Sequence, residues 1–232
     1  MKSLVNPWLA ALLSLCLCQF YFIGWPADAS DLRANPLANS DSSSSARKID
    51  PAILPHEADY LMEIDVHRWP ESKMPLKVFV FASGEHGFDL RQTELILKAM
   101  SQWLCSQSTL RLTSVNDYMK ADVVIARVGY DDLPAGFGGH TLYDYDPKNR
   151  SSKPEVIRAR TNLYCASGNF ADLSDKDADV LYTLAMHEAG HAFGLDGHSS
   201  NPDDIMFAKT TNMGLSRRDL ATIVHVYPKL SR

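Results

Sequence analysis

The sequence lacks any block of basic residues. Its 23 lysines and arginines are outnumbered by 28 aspartates and glutamates, which leaves a formal net charge of −5. A protein that binds nucleic acid or an acidic membrane surface usually presents a concentrated basic patch to the phosphates. We therefore expect neither nucleic acid nor an acidic lipid surface as a partner.

Cysteine is scarce, with four residues in a chain of 232. Cys16 and Cys18 lie in an apolar run near the N-terminus, so only Cys105 and Cys165 remain for the rest of the chain. These two either form a disulfide or stay as buried free thiols, and the sequence alone does not rank the alternatives. The 45% content of hydrophobic residues is ordinary for one globular domain with appendages.

A long hydrophobic run occurs at the N-terminus. Lys2 precedes the run WLAALLSLCLCQFYFIGW, and Ala27 and Ala29 follow it with the small-x-small pattern that signal peptidase cleaves. This pattern predicts a signal peptide over residues 1–29. An uncleaved membrane anchor is the alternative, because the run approaches the length of a membrane span. Both interpretations predict a secreted or extracytoplasmic protein, with no stable membrane association once the signal is cleaved.

Residues 30–74 have little hydrophobic period. Their first part, SDLRANPLANSDSSSSARKID, is rich in serine, asparagine and aspartate. Such a stretch cannot offset its ordering entropy by burying apolar surface. We predict a flexible linker or short pro-segment over residues 30–74, and one domain over residues 75–232.

Short strands and helices alternate after residue 75. Residues rich in β-formers predict strands over 76–82, 110–115, 121–128 and from the glycines at 136 through Tyr145. A further strand is predicted within 155–164 by its alternating residues. One face of this strand carries Ile157, Ala159, Thr161 and Leu163, and the other carries Arg158, Arg160 and Asn162.

Three helices are predicted from capping residues and apolar periods. Asp89 begins the first, with one apolar face formed by Ile96, Met100, Trp103 and Leu104. Ser174 and Ser216 begin the others, each with an aspartate three residues later, as in a capping box. The second helix is apolar on several sides and should be buried; its apolar residues are Val180, Leu181, Leu184, Ala185, Ala189 and Ala192. The order of elements predicts a mixed α+β fold.

Two histidines four positions apart begin the segment HEAGHAFGLDGHS, residues 187–199. Four residues advance an α-helix by about 6 Å and rotate it by about 40°, so His187 and His191 leave one face and can converge on one ion. Zinc prefers such nitrogen ligands, and a catalytic zinc keeps one coordination position for water. Glu188 can take a proton from that zinc-bound water and pass it to a leaving amine. The pattern predicts one catalytic zinc ion and a general base.

A single helix cannot supply a third histidine to the same ion ten or eleven residues later, so the chain must turn. Gly194 lies where a left-handed residue would end the helix and send the chain back beneath the metal. His198 then arrives as the third ligand.

The segment resembles the metzincin signature HExxHxxGxxH followed by a methionine turn, and is most similar to the matrixins, the family of the matrix metalloproteinases. SSNPDDIMF resembles the matrixin turn and would place Met206 beneath the zinc. GLSRRDLATIVHVY resembles the family's last helix. ADVVIARV and GFGGHTLYDY resemble its third strand and the edge strand along which substrates lie.

The resemblance covers residues 75–228 and implies a metzincin-like catalytic domain with a mixed twisted sheet, an active-site helix, a Met-turn and a C-terminal helix. It further implies a monomeric zinc metalloendopeptidase that acts on protein or peptide substrates. Residues beside the family's specificity pocket would correspond to Thr183, Leu184 and 207–211.

The chain departs from the family pattern in three places. The family spacing puts the third ligand at Gly197, one residue before His198. A loop can absorb one extra residue by bulging at a glycine, so His198 is predicted as the ligand, with the carboxylate of Asp196 as the alternative. No PRCG-type segment precedes the domain, so latency through a cysteine switch is not expected. The acidic calcium-binding run has no clear counterpart, and Asp144 and Asp146 are expected to be solvated, which leaves structural calcium unsupported.

Other functions fit the sequence less well. A thermolysin-like site needs a glutamate ligand downstream, and no glutamate follows Glu188. No tyrosine closely follows Met206, which argues against an astacin-type tyrosine ligand. If His187 and His191 were ordinary core histidines, each buried neutral imidazole beside Glu188 would need hydrogen-bond partners of its own, which argues against that alternative. A non-catalytic exported zinc-binding or adhesion module remains the alternative, although a purely structural site gains nothing from a neighbouring base.

Overall fold

The structure is a computed structural model that describes residues 58–82, 84–134, 136–146 and 155–229. The predicted signal peptide, its cleavage site and the predicted linker up to residue 57 lie outside the described residues. Within the described ranges, no helix has the length and apolar character needed to cross a membrane.

A five-stranded mixed sheet forms one layer of the domain. Its strands are β2 (Leu76–Val80), β3 (Leu112–Ser114), β4 (Val123–Val128), β5 (Gly139–Tyr145) and β6 (Val156–Tyr164). They lie in the order β3-β2-β4-β6-β5, with β2, β3, β4 and β6 parallel and β5 antiparallel to β6. Strand β5 is therefore an edge strand. Two short strands, β1 (Asp65–Val66) and β7 (Leu195–Asp196), pair separately and antiparallel.

Three helices complete the domain: α1 (Leu90–Ser101), α2 (Asp175–Ala192) and α3 (Arg217–Val226). Each begins at its predicted cap, where Asp89, Ser174 and Ser216 accept a backbone N–H in a capping box. Helix α2 packs on α1 and across β5 and β6, which confirms the predicted α+β class. Helix α1 ends before Trp103, so this fully buried residue follows the predicted helix rather than lying on its face.

The predicted domain start at residue 75 is too late. Within the region predicted as a linker, Tyr60 and Trp69 are almost completely buried in the core, and β1 pairs with β7. Their partners lie far along the chain: the indole of Trp69 donates to Ala192 O over 123 positions. A contact of this kind has no local period, which is why the sequence pattern did not show it. Residues 58–74 belong to the domain.

Two burial predictions need correction. In β6 the alternation holds for Ala159, Thr161 and Leu163, but Ile157 is 39% exposed and Val156 is buried instead. The register shifts at Asp144/Tyr145 of the partner strand, and a bulge of this kind moves the following side chains to the opposite face. Helix α2 is buried on nearly all sides only from Leu181 onward, whereas Val180 is 41% exposed.

Cys105 and Cys165 are both buried free thiols. Of the two alternatives that the sequence left open, the structure therefore shows the thiols. Burial raises the pKa of both groups, so they remain protonated and weakly reactive at neutral pH.

Candidate metal centre

Three histidine rings meet at the end of α2. His187 and His191 lie on one face of the helix, with ring centroids 4.9 Å apart. The ring of His198, from the loop after β7, lies 5.3 Å from that of His187 and 5.2 Å from that of His191. One potential ligand atom from each histidine lies within 4.8 Å of the other two, and this is the one such group among the described residues.

Backbone carbonyls orient the two helix histidines. Nδ1 of His187 lies 2.7 Å from Ile205 O, and Nδ1 of His191 lies 2.7 Å from Leu195 O. A carbonyl only accepts, so in each neutral ring Nδ1 carries the proton and Nε2 keeps its lone pair. Histidine ligands of metals are commonly held in this way. The donor set therefore fits a zinc ion.

Burial also keeps these imidazoles neutral. It lowers the pKa of His187 to about 4 and the pKa of His191 to about 3, where the neighbouring His187 lowers it further. Burial lowers the pKa of His198 as well. At neutral pH all three rings are uncharged, which is the form that binds a metal without first releasing a proton.

The third histidine arrives through a loop with two left-handed glycines. Gly194 has φ +97° and Gly197 has φ +116°. A Cβ at Gly194 would overlap the carbonyl of His67, and a Cβ at Gly197 would lie 3.3 Å from Ile64. The loop therefore absorbs its extra residue with glycine at both turns, while its backbone lies against residues 58–69, which we call the N-terminal strap.

The structure brings His198, and not Asp196, to the helix histidines. Asp196 Oδ2 lies 2.9 Å from Nε2 of His67 in the strap, and its side chain is half exposed. The ring of His67 in turn lies beside Tyr143 and Tyr145, with centroids 5.1 and 5.7 Å away. Asp196 therefore links the loop to the strap through its ion pair with His67. It is not part of the histidine group.

Aromatic side chains cap the carbonyl end of α2. The Tyr143 hydroxyl donates to His191 O, the Trp69 indole to Ala192 O at 2.9 Å, and the Tyr227 hydroxyl to Phe193 O at 2.7 Å. The last carbonyls of a helix have no partner within it. Donors from three separate parts of the chain supply those partners and set where the helix stops beside the metal site. The sequence did not indicate this role, because an aromatic residue by itself predicts only packing in the core.

Met206 lies fully buried beneath the helix. A Cβ at Gly190 would overlap its sulfur, and its carbonyl accepts from Ser199 N at 2.9 Å. The neighbouring Ile205, whose carbonyl holds His187, donates its N–H to Asp219 at 2.9 Å. Asp219 also accepts from the Tyr60 hydroxyl at 2.8 Å. The sequence identified Asp219 only as part of a capping box, whereas in the fold it also supports the metal-site turn.

The side chain of Glu188 is buried against the edge strand. Burial raises its pKa to about 8, against the opposing effect of a hydrogen bond from the Thr141 hydroxyl, which lies 2.8 Å from Oε2. A Cβ at Gly139 would lie 2.6 Å from Glu188 Cγ, so only glycine leaves room there. Nothing in the sequence pattern singled out Thr141.

The other residues named from the sequence occupy varied positions. Leu184 is half-buried, and a Cβ at Gly138 would lie 2.7 Å from one of its methyl groups, so it packs against the start of β5. Thr183 is buried, and Phe207 is half-buried. Asp144 accepts from Arg160 at 2.6 Å, an ion pair that already occupies one carboxylate oxygen.

Comparison with known proteins identifies one family. A sequence model of the family described as Matrixin matches residues 85–228. The matched region contains helix α2, the loop with Gly194 and Gly197, Met206 and helix α3. The match confirms the resemblance seen in the sequence. No curated protein matches the chain.

Proposed function

Because the chain belongs to the matrixin family and carries a zinc metalloprotease domain, we propose that it is a secreted zinc-dependent endopeptidase. His187, His191 and His198 hold one catalytic zinc ion, and Glu188 is the general base. The observation that supports this most is the geometry of α2. Two oriented neutral imidazoles on this helix lie beside a third from the following loop, and the buried residue Glu188 directly follows the first of them in the helix.

A zinc ion held by His187, His191 and His198 would supply Lewis acidity, which would polarise the scissile carbonyl and lower the pKa of water. Because all three histidines are neutral, they would offset none of the ion's double charge, and both effects would be stronger than in a site with a carboxylate ligand. The half-exposed Asp196 contributes no such negative ligand.

Glu188 moves the proton that hydrolysis requires. As the water oxygen bonds to the carbonyl carbon, one water proton passes to the carboxylate of Glu188. The proton then goes to the amide nitrogen as the C–N bond breaks, which leaves a carboxylic acid and an amine. At neutral pH the remaining acid proton passes to the amine, which gives a carboxylate and an ammonium group. Burial makes this carboxylate a stronger proton acceptor than an exposed glutamate, and a base with a pKa near the working pH is the most effective.

Strand β5 is suited to hold an extended peptide. It is the last strand of the sheet, and its outer edge pairs with no strand in the described part of the chain. An extended peptide can add to such an edge through main-chain hydrogen bonds. The inner face of the same strand contacts Glu188 and the end of α2, so a peptide paired there would lie beside the catalytic groups.

Replacing the proposed base tests the function. Glu188→Gln should keep zinc at one ion per chain and keep the fold, while peptide hydrolysis falls by about 10² to 10⁴. Glu94→Gln, the same change on the exposed face of α1, should leave hydrolysis unchanged. Near-normal turnover of zinc-loaded Glu188→Gln would show that Glu188 is not the base. A zinc-loaded wild-type protein that cleaves no unstructured polypeptide would favour the non-catalytic binding module.

Export is proposed from the N-terminal sequence alone. Cleavage after Ala29 would give a mature chain that begins at Ser30. N-terminal sequencing of protein recovered from outside the cell checks this, and recovery of the intact chain in the membrane fraction would favour the uncleaved anchor.

A further inference from the structure

The inner face of β5 contacts helix α2 through alternate residues. Alternate residues of a strand point to the same face, and three of them meet α2 here. Gly139 lies against Glu188, the Thr141 hydroxyl bonds to Glu188, and the Tyr143 hydroxyl bonds to His191 O. The face that contacts the proposed base is therefore part of a strand that pairs with β6 along its length, and not part of a loop.

The Thr141 hydroxyl lies between Glu188 and the neighbouring strand. Its oxygen lies 2.8 Å from Glu188 Oε2 and 3.0 Å from Thr161 Oγ1, and Thr161 is the direct cross-strand partner of Thr141. In the ionised form in which Glu188 would act as the base, its carboxylate only accepts, so in that form Thr141 donates to Glu188 and accepts from Thr161. This assigns a direction to both hydrogen bonds.

Each carboxylate oxygen of Glu188 has a close neighbour on strand β5. Oε2 accepts from Thr141, and Oε1 lies 2.7 Å from the point where a Cβ at position 139 would stand. Threonine is β-branched, so its χ1 angle is restricted, and in a paired strand its hydroxyl is held in place. Gly139 leaves space for the Glu188 side chain, and Thr141 supplies a hydrogen-bond donor to its carboxylate.

We infer that Thr141 is a positioning residue for the general base, because its hydroxyl orients the carboxylate of Glu188 by donating a hydrogen bond to Oε2. The inference rests on the proposed function, since it assumes that Glu188 is the base. The inference adds Thr141, a residue of the edge strand, to the groups on which the reaction depends. Thr141 lies two residues after Gly139, which makes room for the base.

Three substitutions at one position test the inference. Thr141→Val keeps the shape and removes the hydroxyl, Thr141→Ser keeps the hydroxyl and removes the methyl, and Thr141→Cys replaces the hydroxyl with a weaker donor. Thr113→Val, on the exposed side of β3, is the matched control. Each protein is loaded with zinc, its zinc content is measured, and kcat and KM are determined separately on one peptide.

We expect Thr141→Val to lower kcat about 10- to 100-fold with KM changed less than about twofold, because displacement of a reacting group by about 1 Å can cost ~10²-fold. Thr141→Ser should recover most of kcat and Thr141→Cys part of it, with zinc content unchanged in all. A purely structural role would lower the amount of folded enzyme instead and would not follow the donor strength of the side chain. Wild-type kcat in Thr141→Val, or failure of serine to restore kcat, would overturn the inference.

A crystal structure of each variant without metal provides a readout that does not depend on activity. The Glu188 carboxylate should keep its position in Thr141→Ser and leave it in Thr141→Val, and an unmoved carboxylate in Thr141→Val would overturn the inference. Absence of cleavage by zinc-loaded wild-type protein would reject the proposed function, while the position of the carboxylate would still decide what Thr141 does. If Thr141→Val does not fold, Thr141→Cys decides by the same two measurements.

Discussion

The histidines at the metal site come from two regions of different character. His187 and His191 are four residues apart on a helix whose second half is buried on nearly all sides. His198 is on a loop that reaches the same point because strand β7 pairs with β1 of the N-terminal strap, far away in the sequence. Helical geometry places the first pair wherever a helix forms, whereas long-range contacts place the third. The two regions should therefore fail in different ways.

The largest expected effect comes from removing a histidine of either region. His187→Ala and His198→Ala should each weaken zinc binding by more than about 100-fold, since loss of an outer-shell partner alone costs 10- to 100-fold. The metal-free proteins should differ in stability. His187→Ala leaves a cavity and an unpaired Ile205 carbonyl in the core. His198 is half-buried and, among the residues that the structure describes, has no comparable bond. Chelator competition and denaturant unfolding of both variants check this, and equal loss of stability would remove the distinction.

A second test breaks the loop without touching a histidine. Gly194→Ala should cost about 3 kcal/mol of unfolding free energy, because the residue has φ +97° and its Cβ would overlap the strap backbone at His67. Zinc affinity should fall with it, although all three histidines remain. Gly214→Ala, where a Cβ meets nothing within 4 Å, should stay within about 0.5 kcal/mol of wild type. Similar unfolding curves for the two variants would show that the strap does not constrain the loop.

Loss of stability of the metal-free protein at acid pH should arise mainly from His187 and His191 on helix α2. Unfolded histidines take up a proton near pH 6.5, while the folded pKa is about 4 for His187 and about 3 for His191. The unfolded chain therefore binds more protons below pH 6.5, so stability is complete above that pH and falls as the pH drops toward 3. His191→Gln should reduce the slope near pH 5 by one proton, about 1.4 kcal/mol per pH unit. Denaturant unfolding in chelator at several pH values measures the slope, and an identical slope in the variant would contradict the prediction.

The smallest effect is expected at Asp196. Its ion pair with His67 is partly exposed, and such pairs contribute about 0–1 kcal/mol. Asp196→Ala should therefore change zinc affinity less than about fivefold, measured by the same chelator competition as for His198→Ala. Release of the metal by Asp196→Ala with retention by His198→Ala would reverse the ligand assignment and make the site a carboxylate site.

Local signals in the sequence predicted much of the fold. All three helix caps are confirmed, and the main strands lie within or near their predicted ranges. Capping boxes and alternating burial involve residues a few positions apart, so the sequence displays them directly. Errors appear where distant segments meet. The N-terminal strap was predicted as a linker, and the bulge at Ile157 in β6 shifted the alternation of that strand.

The candidate site divides along the same line. The HExxH pattern and the turn at Gly194 led to all three histidines and to Glu188, and the structure brings those histidines together. It offered no signal for Thr141, Tyr143 or Tyr227, because a hydroxyl on a strand or beyond a helix becomes relevant only once the opposite element is in place.

What the sequence determined by itself is the local part of the protein: where the helices begin, which face of α2 carries His187 and His191, and that a glycine follows to turn the chain. These features depend on backbone geometry over one or two helical turns. Only the tertiary structure decided that His198 rather than Asp196 faces the helix, that residues 58–74 belong to the domain, and that Thr141 holds Glu188. Each of these depends on segments distant in sequence that meet only in the packed core, and no spacing along the chain records such a meeting.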